Sequence, residues 1–155
     1  VNDWRIVRDD LSHPAVLALL ELHLHSAHEN SPPGSVFALD LEGLRDPAVT
    51  LWTAWEGEHL LGMGALKQLD ATHGEIKSMR TAPEQLRRGV AGVMLAHLIG
   101  EGRGRGYHRL SLETGSNAPF AAAWALYERA GFVECDPFAA YSDRIFARYY
   151  TRALE

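Results

Sequence analysis

The run Arg87-Arg88-Gly89-Val90-Ala91-Gly92 lies between a strand-like segment, Glu75 to Thr81, and a long stretch of helical periodicity. A glycine-bearing turn between a strand and a helix presents several unpaired backbone N–H groups at the positive end of that helix. Such an end binds phosphate without a dedicated side chain. Gly89 carries no Cβ, so the backbone there can come close to an oxyanion. The chemistry that this spacing allows is the anchoring of a phosphate-bearing cofactor.

Other chemically suggestive clusters carry less. His23, His25 and His28 form H-x-H-x-x-H near the end of the first helical segment. His25 and His28 are three apart and could share a metal, but no third ligand faces them, and His23 falls on the apolar face. The glycines from Gly100 to Gly106 imitate a dinucleotide fingerprint, yet they follow a helix rather than a strand. Cys135 stands alone, so it offers neither an internal disulfide nor a cysteine zinc site, and it reads as a structural thiol.

These groups must be positioned by a regular order of elements. Trp4 to Val7 reads as a strand. Ser12 can cap a helix that starts near Pro14 and carries Val16, Leu19, Leu20, His23, Leu24 and Ala27 at helical spacing. Asn30-Ser31-Pro32-Pro33-Gly34 ends it, and a short helix follows over Leu39 to Leu44. Val49 to Trp55, Leu60 to Leu66 and Glu75 to Thr81 are joined by turn residues and predict an antiparallel meander. The helix after Gly89 carries Val90, Val93, Met94, His97 and Leu98 on one face and is expected to run out at the glycines beginning with Gly100. Leu110 to Glu113 is a fifth strand. Phe120, Ala123, Trp124 and Tyr127 mark a helix closed by Gly131, and Phe132 to Phe138 and Ile145 to Tyr150 read as closing strands. The fold class expected is α+β, three-layered: a mixed, mainly antiparallel central sheet of about seven strands flanked by helices.

With 155 residues, 46% of them apolar and 23% charged, the chain predicts one globular domain over residues 1–155. Fifteen Lys and Arg against 20 Asp and Glu give a net charge of −5, so a global nucleic-acid footprint is absent. No apolar run approaches a membrane span and no signal-peptide core is visible, which leads us to expect a soluble, cytoplasmic protein with no membrane partner. The closing strands, with Tyr141, Phe146, Tyr149 and Tyr150, could pair with a second copy in a homodimer or pack internally; the sequence leaves both open.

At this point the residues resemble the GNAT superfamily of acyl-CoA-dependent N-acyltransferases. The family's cofactor motif, R/Q-x-x-G-x-G/A between strand and helix, is occupied by Leu86-Arg87-Arg88-Gly89-Val90-Ala91. Its second signature, A-x-x-L-Y-x-x-x-G-F, reads here as Ala123-Trp124-Ala125-Leu126-Tyr127-Glu128-Arg129-Ala130-Gly131-Phe132. Two positions depart from the pattern. Leu86 stands where Arg or Gln is usual, and Phe120 stands where an Asn often opens the second motif, with Asn117 nearby as a substitute.

The resemblance implies acetyl-CoA as co-substrate, no metal, and a small-molecule primary amine as acceptor. It implies that the N–H groups of Arg87, Arg88, Gly89, Val90, Ala91 and Gly92 cradle the diphosphate, with both arginines adding charge toward the phosphates. Pantetheine would bond main-chain groups of Met79 and Thr81, and the Met79 N–H would hold a developing oxyanion. Tyr127 is implied as the acid that protonates the leaving sulfur, and a phenol, with a pKa near ~10, rests protonated at neutral pH. Glu75 is implied as the base, with Glu113 the competing carboxylate and His73 a further candidate. In the segment His28 to Phe37 relatives shape the acceptor pocket; Glu29 could read a cation and Arg80 a carboxylate, or both could be plain surface charges. A catalytically silent acyl-CoA sensor is the alternative function, and a metal-dependent hydrolase built on the histidines a more distant one.

Overall fold

A computed structural model of the chain describes residues 3–155. Strand β1 (Trp4–Arg8) leads into helix α1 (Pro14–Asn30) and the single turn α2 (Leu41–Leu44). Strands β2 (Val49–Glu56), β3 (His59–Gln68) and β4 (His73–Thr81) form the expected meander. Helix α3 (Val90–Gly104), strand β5 (Arg109–Gly115), helix α4 (Ala121–Arg129), and strands β6 (Val133–Cys135) and β7 (Ala147–Ala153) complete the order. The seven strands make one sheet in the order β1-β2-β3-β4-β5-β7-β6. Every neighbouring pair is antiparallel except β4 and β5, which run parallel.

Each face of the sheet buries one set of helices. On one side α3 and α4 pack Val90, Met94, Leu95, Leu98 and Tyr127 against Leu61, Leu66, Ile76, Leu110, Leu112 and Tyr150. On the other side α1 and α2 pack Val16, Leu19, Leu20 and Leu44 against Leu51, Met63, Ala65 and Ala82. Burial of each such side chain is worth roughly 1.5–3 kcal/mol, so both helix layers are held mainly by their apolar stripes. No described helix is long and apolar enough to cross a membrane.

Two local features of β4 shape the cleft beside it. Its register with β3 runs from Lys77 opposite Ala65 to Arg80 opposite Met63, so Ser78 and Met79 together face the single residue Gly64. This is a β-bulge, and it sets Ser78 at φ 57°. The alternation expected along Glu75, Lys77, Met79 and Thr81 therefore breaks at Ser78: Glu75 and Lys77 face α1, whereas Met79 packs on the α3 side. The parallel ladder with β5 also ends early. It covers only His73 to Ile76 against Arg109 to Leu112, after which the strands part and leave a wedge between them.

Several boundaries differ from the sequence expectation. The α1 cap is His13 rather than Ser12, because the His13 imidazole Nδ1 accepts the Ala15 N–H at 3.0 Å. Ser12 instead donates its hydroxyl to Asp10. Helix α3 does not stop at Gly100 but runs to Gly104. A Cβ at Gly102 would stand 3.1 Å from Leu154 and 3.4 Å from Leu110, so that glycine serves close helix-to-sheet approach. Strand β6 is only three residues long, and Ile145 lies outside β7, since the Asp143 carboxylate accepts the N–H groups of Ile145 and Phe146 in a turn. Tyr149 and Tyr150 are buried within the fold, so these two closing-strand tyrosines pack internally.

Candidate active site

The wedge between β4 and β5 opens on two adjoining cavities. The larger, of about 750 Å³, runs from the β4 edge over the N-terminus of α3 to α4. Met79, Thr81, Arg87, Gly89, Val90, Ala91 and Gly92 line it, together with Leu126, Tyr127 and Arg129. At its mouth the chain turns through left-handed conformations at Arg87 (φ 66°) and Gly89 (φ 85°), and Gly89 caps α3 with no side chain bonding the helix N–H groups. The first intrahelical bond is from the Val93 N–H to the Gly89 carbonyl. The N–H groups ahead of it have no intrahelical partner, which is the arrangement that a diphosphate requires.

Two cofactor expectations need correction. The Arg88 guanidinium turns away from the cleft. It donates to Glu56 at 3.1 and 3.2 Å and to Gln85 at 2.6 Å, and it lies 5.3 Å over the Trp4 ring. An ion pair and an aromatic face on β1 and β2 compete successfully for it, so only its backbone belongs to the loop. Asn117 lies outside both cavities; its amide donates to the Asn30 carbonyl at 2.9 Å and ties the turn before α4 to the end of α1.

The second cavity, of about 330 Å³, lies on the α1 side of the wedge. His23 and Asn30 of α1, Phe37, Lys77, Ser78 and Arg80 of β4, and Glu113 of β5 contribute to its wall. Met79, Arg80, Ala122, Ala123 and Tyr127 border both cavities. Tyr127 is 6% exposed, in edge contact with Phe132, and burial together with the nearby Glu113 charge pushes its phenol above the ordinary tyrosine range. It therefore holds its proton firmly at any physiological pH.

The two glutamates differ in setting. Glu75 is 2% exposed and lines neither cavity. Its Oε2 accepts from Lys77 Nζ at 3.2 Å and from the Tyr141 hydroxyl at 2.5 Å, and Lys77 also donates to the Tyr141 oxygen at 2.7 Å. The Glu75 carboxylate is thus engaged beneath the pocket floor, and any proton it took from an amine would have to pass through water. Glu113 opens on the cavity. Burial pushes its carboxyl up to about 7, with Lys77 opposing the rise and Glu75 and Asp143 adding to it. His73 is removed from the cavities as well, bonded through Nε2 to Ser111 Oγ at 2.7 Å.

The remaining histidines and charges separate similarly. His25 pairs with Glu29 at 3.0 Å on the exposed face of α1, so Glu29 is a surface charge. His23 alone reaches the cavity; burial, with Arg80 and Lys77 nearby, lowers its imidazole to about 4, so it is neutral. Among the described residues no group of three His, Cys, Asp or Glu side chains could hold a metal ion. Ser78 and Lys77 line the second cavity and Tyr141 bonds Glu75 and Lys77 beneath it, and sequence reasoning left all three unassigned. Nothing local signals them, since a bulge at a serine and a cap from residue 141 are products of tertiary packing.

Comparison with known proteins is consistent along the chain. A family model described as "Acetyltransferase (GNAT) family" matches residues 16–132. The chain is 55% identical over 151 residues to the uncharacterized N-acetyltransferase YedL of Escherichia coli (strain K12), covering 97% of this chain and 95% of that one. It is 53% identical over 146 residues to the uncharacterized N-acetyltransferase YsnE of Bacillus subtilis (strain 168), covering 94% and 97%. Among solved structures it superimposes on a "putative acyl-CoA N-acyltransferase" from Klebsiella pneumoniae with a TM-score of 0.81 and 25% identity, over 99% of both chains.

Proposed function

Because the chain belongs to the acetyltransferase (GNAT) family and is an acyltransferase, we propose that it transfers an acetyl group from acetyl-CoA to a primary amine of a small molecule, directly, with both substrates bound together. The observation that carries this reading is the position of Tyr127, which borders both cavities where they meet.

Acetyl-CoA supplies an activated thioester. The unpaired N–H groups at the start of α3 fit its diphosphate, and the positive end of the helix favours that charge. Arg87 adds a cation at the same cleft, and Arg88 does not. Main-chain groups of Met79 and Thr81, on the strand edge that β5 has left, would bond the pantetheine arm. The Met79 N–H would then stabilise the oxygen that gains charge.

Glu113 takes the role of base in preference to Glu75. A carboxyl poised near 7 is partly ionised at neutral pH and can accept a proton from an ammonium group. The amine nitrogen then bonds the acyl carbon and the carbon–sulfur bond breaks. Tyr127, a phenol that rests protonated, donates its proton to the departing sulfur. The second proton the nitrogen sheds as the amide forms returns to the phenolate, so Glu113 is left holding the one proton released overall.

The test is free-thiol release from acetyl-CoA across amino acids, polyamines and aminoglycosides. Release that depends on one amine class is the expected result. Tight acetyl-CoA binding with no release from any amine would make the protein an acyl-CoA sensor instead.

A further inference from the structure

The second cavity has an unusual charge balance. Glu113 is the one carboxylate among the described residues lining it, against two cations, Lys77 and Arg80. Lys77 is neutralised by Glu75 at 3.2 Å. Arg80 takes part in none of the ion pairs among the described residues. It sits opposite Met63, whose side chain packs in the α1-side core, so its own side chain shares that face. Its charge reaches His23 on α1, and withdrawal from water lowers its own proton affinity.

Two further polar atoms point the same way. His23 Nδ1 and Ser78 Oγ are buried without a protein hydrogen-bond partner, and both residues line this cavity. Leaving such atoms buried and unsatisfied is costly, so a site that retains them is suited to a ligand that bonds them. A polycationic acceptor would meet an uncompensated guanidinium here. An acceptor that carries its own negative charge would cancel it, and a planar carboxylate matches the guanidinium fork.

We propose that the acceptor is an amino carboxylate, a small molecule bearing both the reacting amine and a carboxylate, with Arg80 holding the carboxylate, His23 and Ser78 completing its hydrogen bonds, and Glu113 facing the amine. Phe37, Val36 and Phe120 supply apolar wall for a side chain. This rests on the acetyltransferase reading and adds the substrate class.

The experiment compares thiol release from acetyl-CoA with leucine, leucinamide and spermidine, in the wild-type protein and in the Arg80→Met and Arg80→Lys variants. The expected result is turnover with leucine, and at least tenfold lower kcat/KM with leucinamide and spermidine. Arg80→Met should raise KM for leucine roughly 10- to 100-fold, leave KM for acetyl-CoA within about twofold, and be partly rescued in Arg80→Lys. Turnover of spermidine or leucinamide as good as leucine would overturn the proposal while the acetyltransferase stands. A rise in KM for acetyl-CoA in place of the amine would assign Arg80 to the cofactor and overturn it too. No release from any amine would remove the enzyme reading and this inference together.

Discussion

The Tyr141 hydroxyl donates to Glu75 Oε2 at 2.5 Å across 66 residues of sequence, and Lys77 Nζ contacts both. This triangle joins the loop between β6 and β7 to the buried floor of β4. The loop is held a second time where Ser35 Oγ donates to Asp143 at 2.7 Å, and Phe37 meets Tyr141 edge-on at 5.2 Å. The second cavity thus owes part of its wall to contacts made beneath and behind it.

Tyr141→Phe leaves a buried carboxylate one donor short. The expected loss is about 1.5–3 kcal/mol of unfolding free energy, the range for hydrogen bonds to charged groups. Urea denaturation measures it, and an unchanged midpoint would show that Lys77 alone satisfies Glu75.

Glu113 should set the acid limb of activity. With its carboxyl near 7, kcat/KM should fall as pH drops through about 7, and Glu113→Gln should remove that limb along with most turnover. Stability carries the opposite sign. The folded-state value lies above the ordinary value of 4.5, so the wild type loses stability as pH rises from about 4.5 to about 7. His23, lowered to about 4, works against this by gaining stability as pH rises through the same region. The difference between Glu113→Gln and wild type isolates Glu113: the variant should gain relative stability toward pH 8. Parallel stability curves would sink the assignment.

Tyr127→Phe removes the proton donor while preserving the ring against Phe132. Turnover should fall roughly 100-fold, the lower end for general-acid removal. KM for acetyl-CoA should stay within a few-fold. Steady-state kinetics with both substrates varied decides the matter, and undiminished kcat would exclude the phenol as the acid.

Gly89→Val places a branched side chain at φ 85°, where left-handed backbone costs an L-residue roughly 1–2 kcal/mol. Space is not the obstacle, since nothing lies within 4 Å of the added Cβ. The strain should instead reshape the cradle and raise KM for acetyl-CoA more than KM for the amine. Isothermal titration with CoA provides a readout independent of turnover.

Much of the scaffold was legible because local signals specify it. Glu56-Gly57-Glu58 between two β-rich runs marks the β2–β3 turn, and the Leu19–Leu20 stripe marks the buried face of α1. The cradle was legible for the same reason, as its function lies in backbone conformation that Gly89 announces. Side-chain destinations were not. Arg88 is claimed by Glu56 and Trp4 from distant strands, and Asn117 by the end of α1. The burial of Glu75 beneath the floor involves Tyr141, 66 residues away, which alters no local pattern.

The early end of the β4–β5 ladder has a mechanical consequence. Strands β1 to β4 form one slab and β5, β7 and β6 another, and backbone stitching between them amounts to four register pairs at one end of the seam. An extended ligand bonding the β4 edge would act as a wedge of mortar in that joint. The occupied protein should resist prying at the seam more than the empty one, so that loading the first substrate stiffens the walls against which the second must fit.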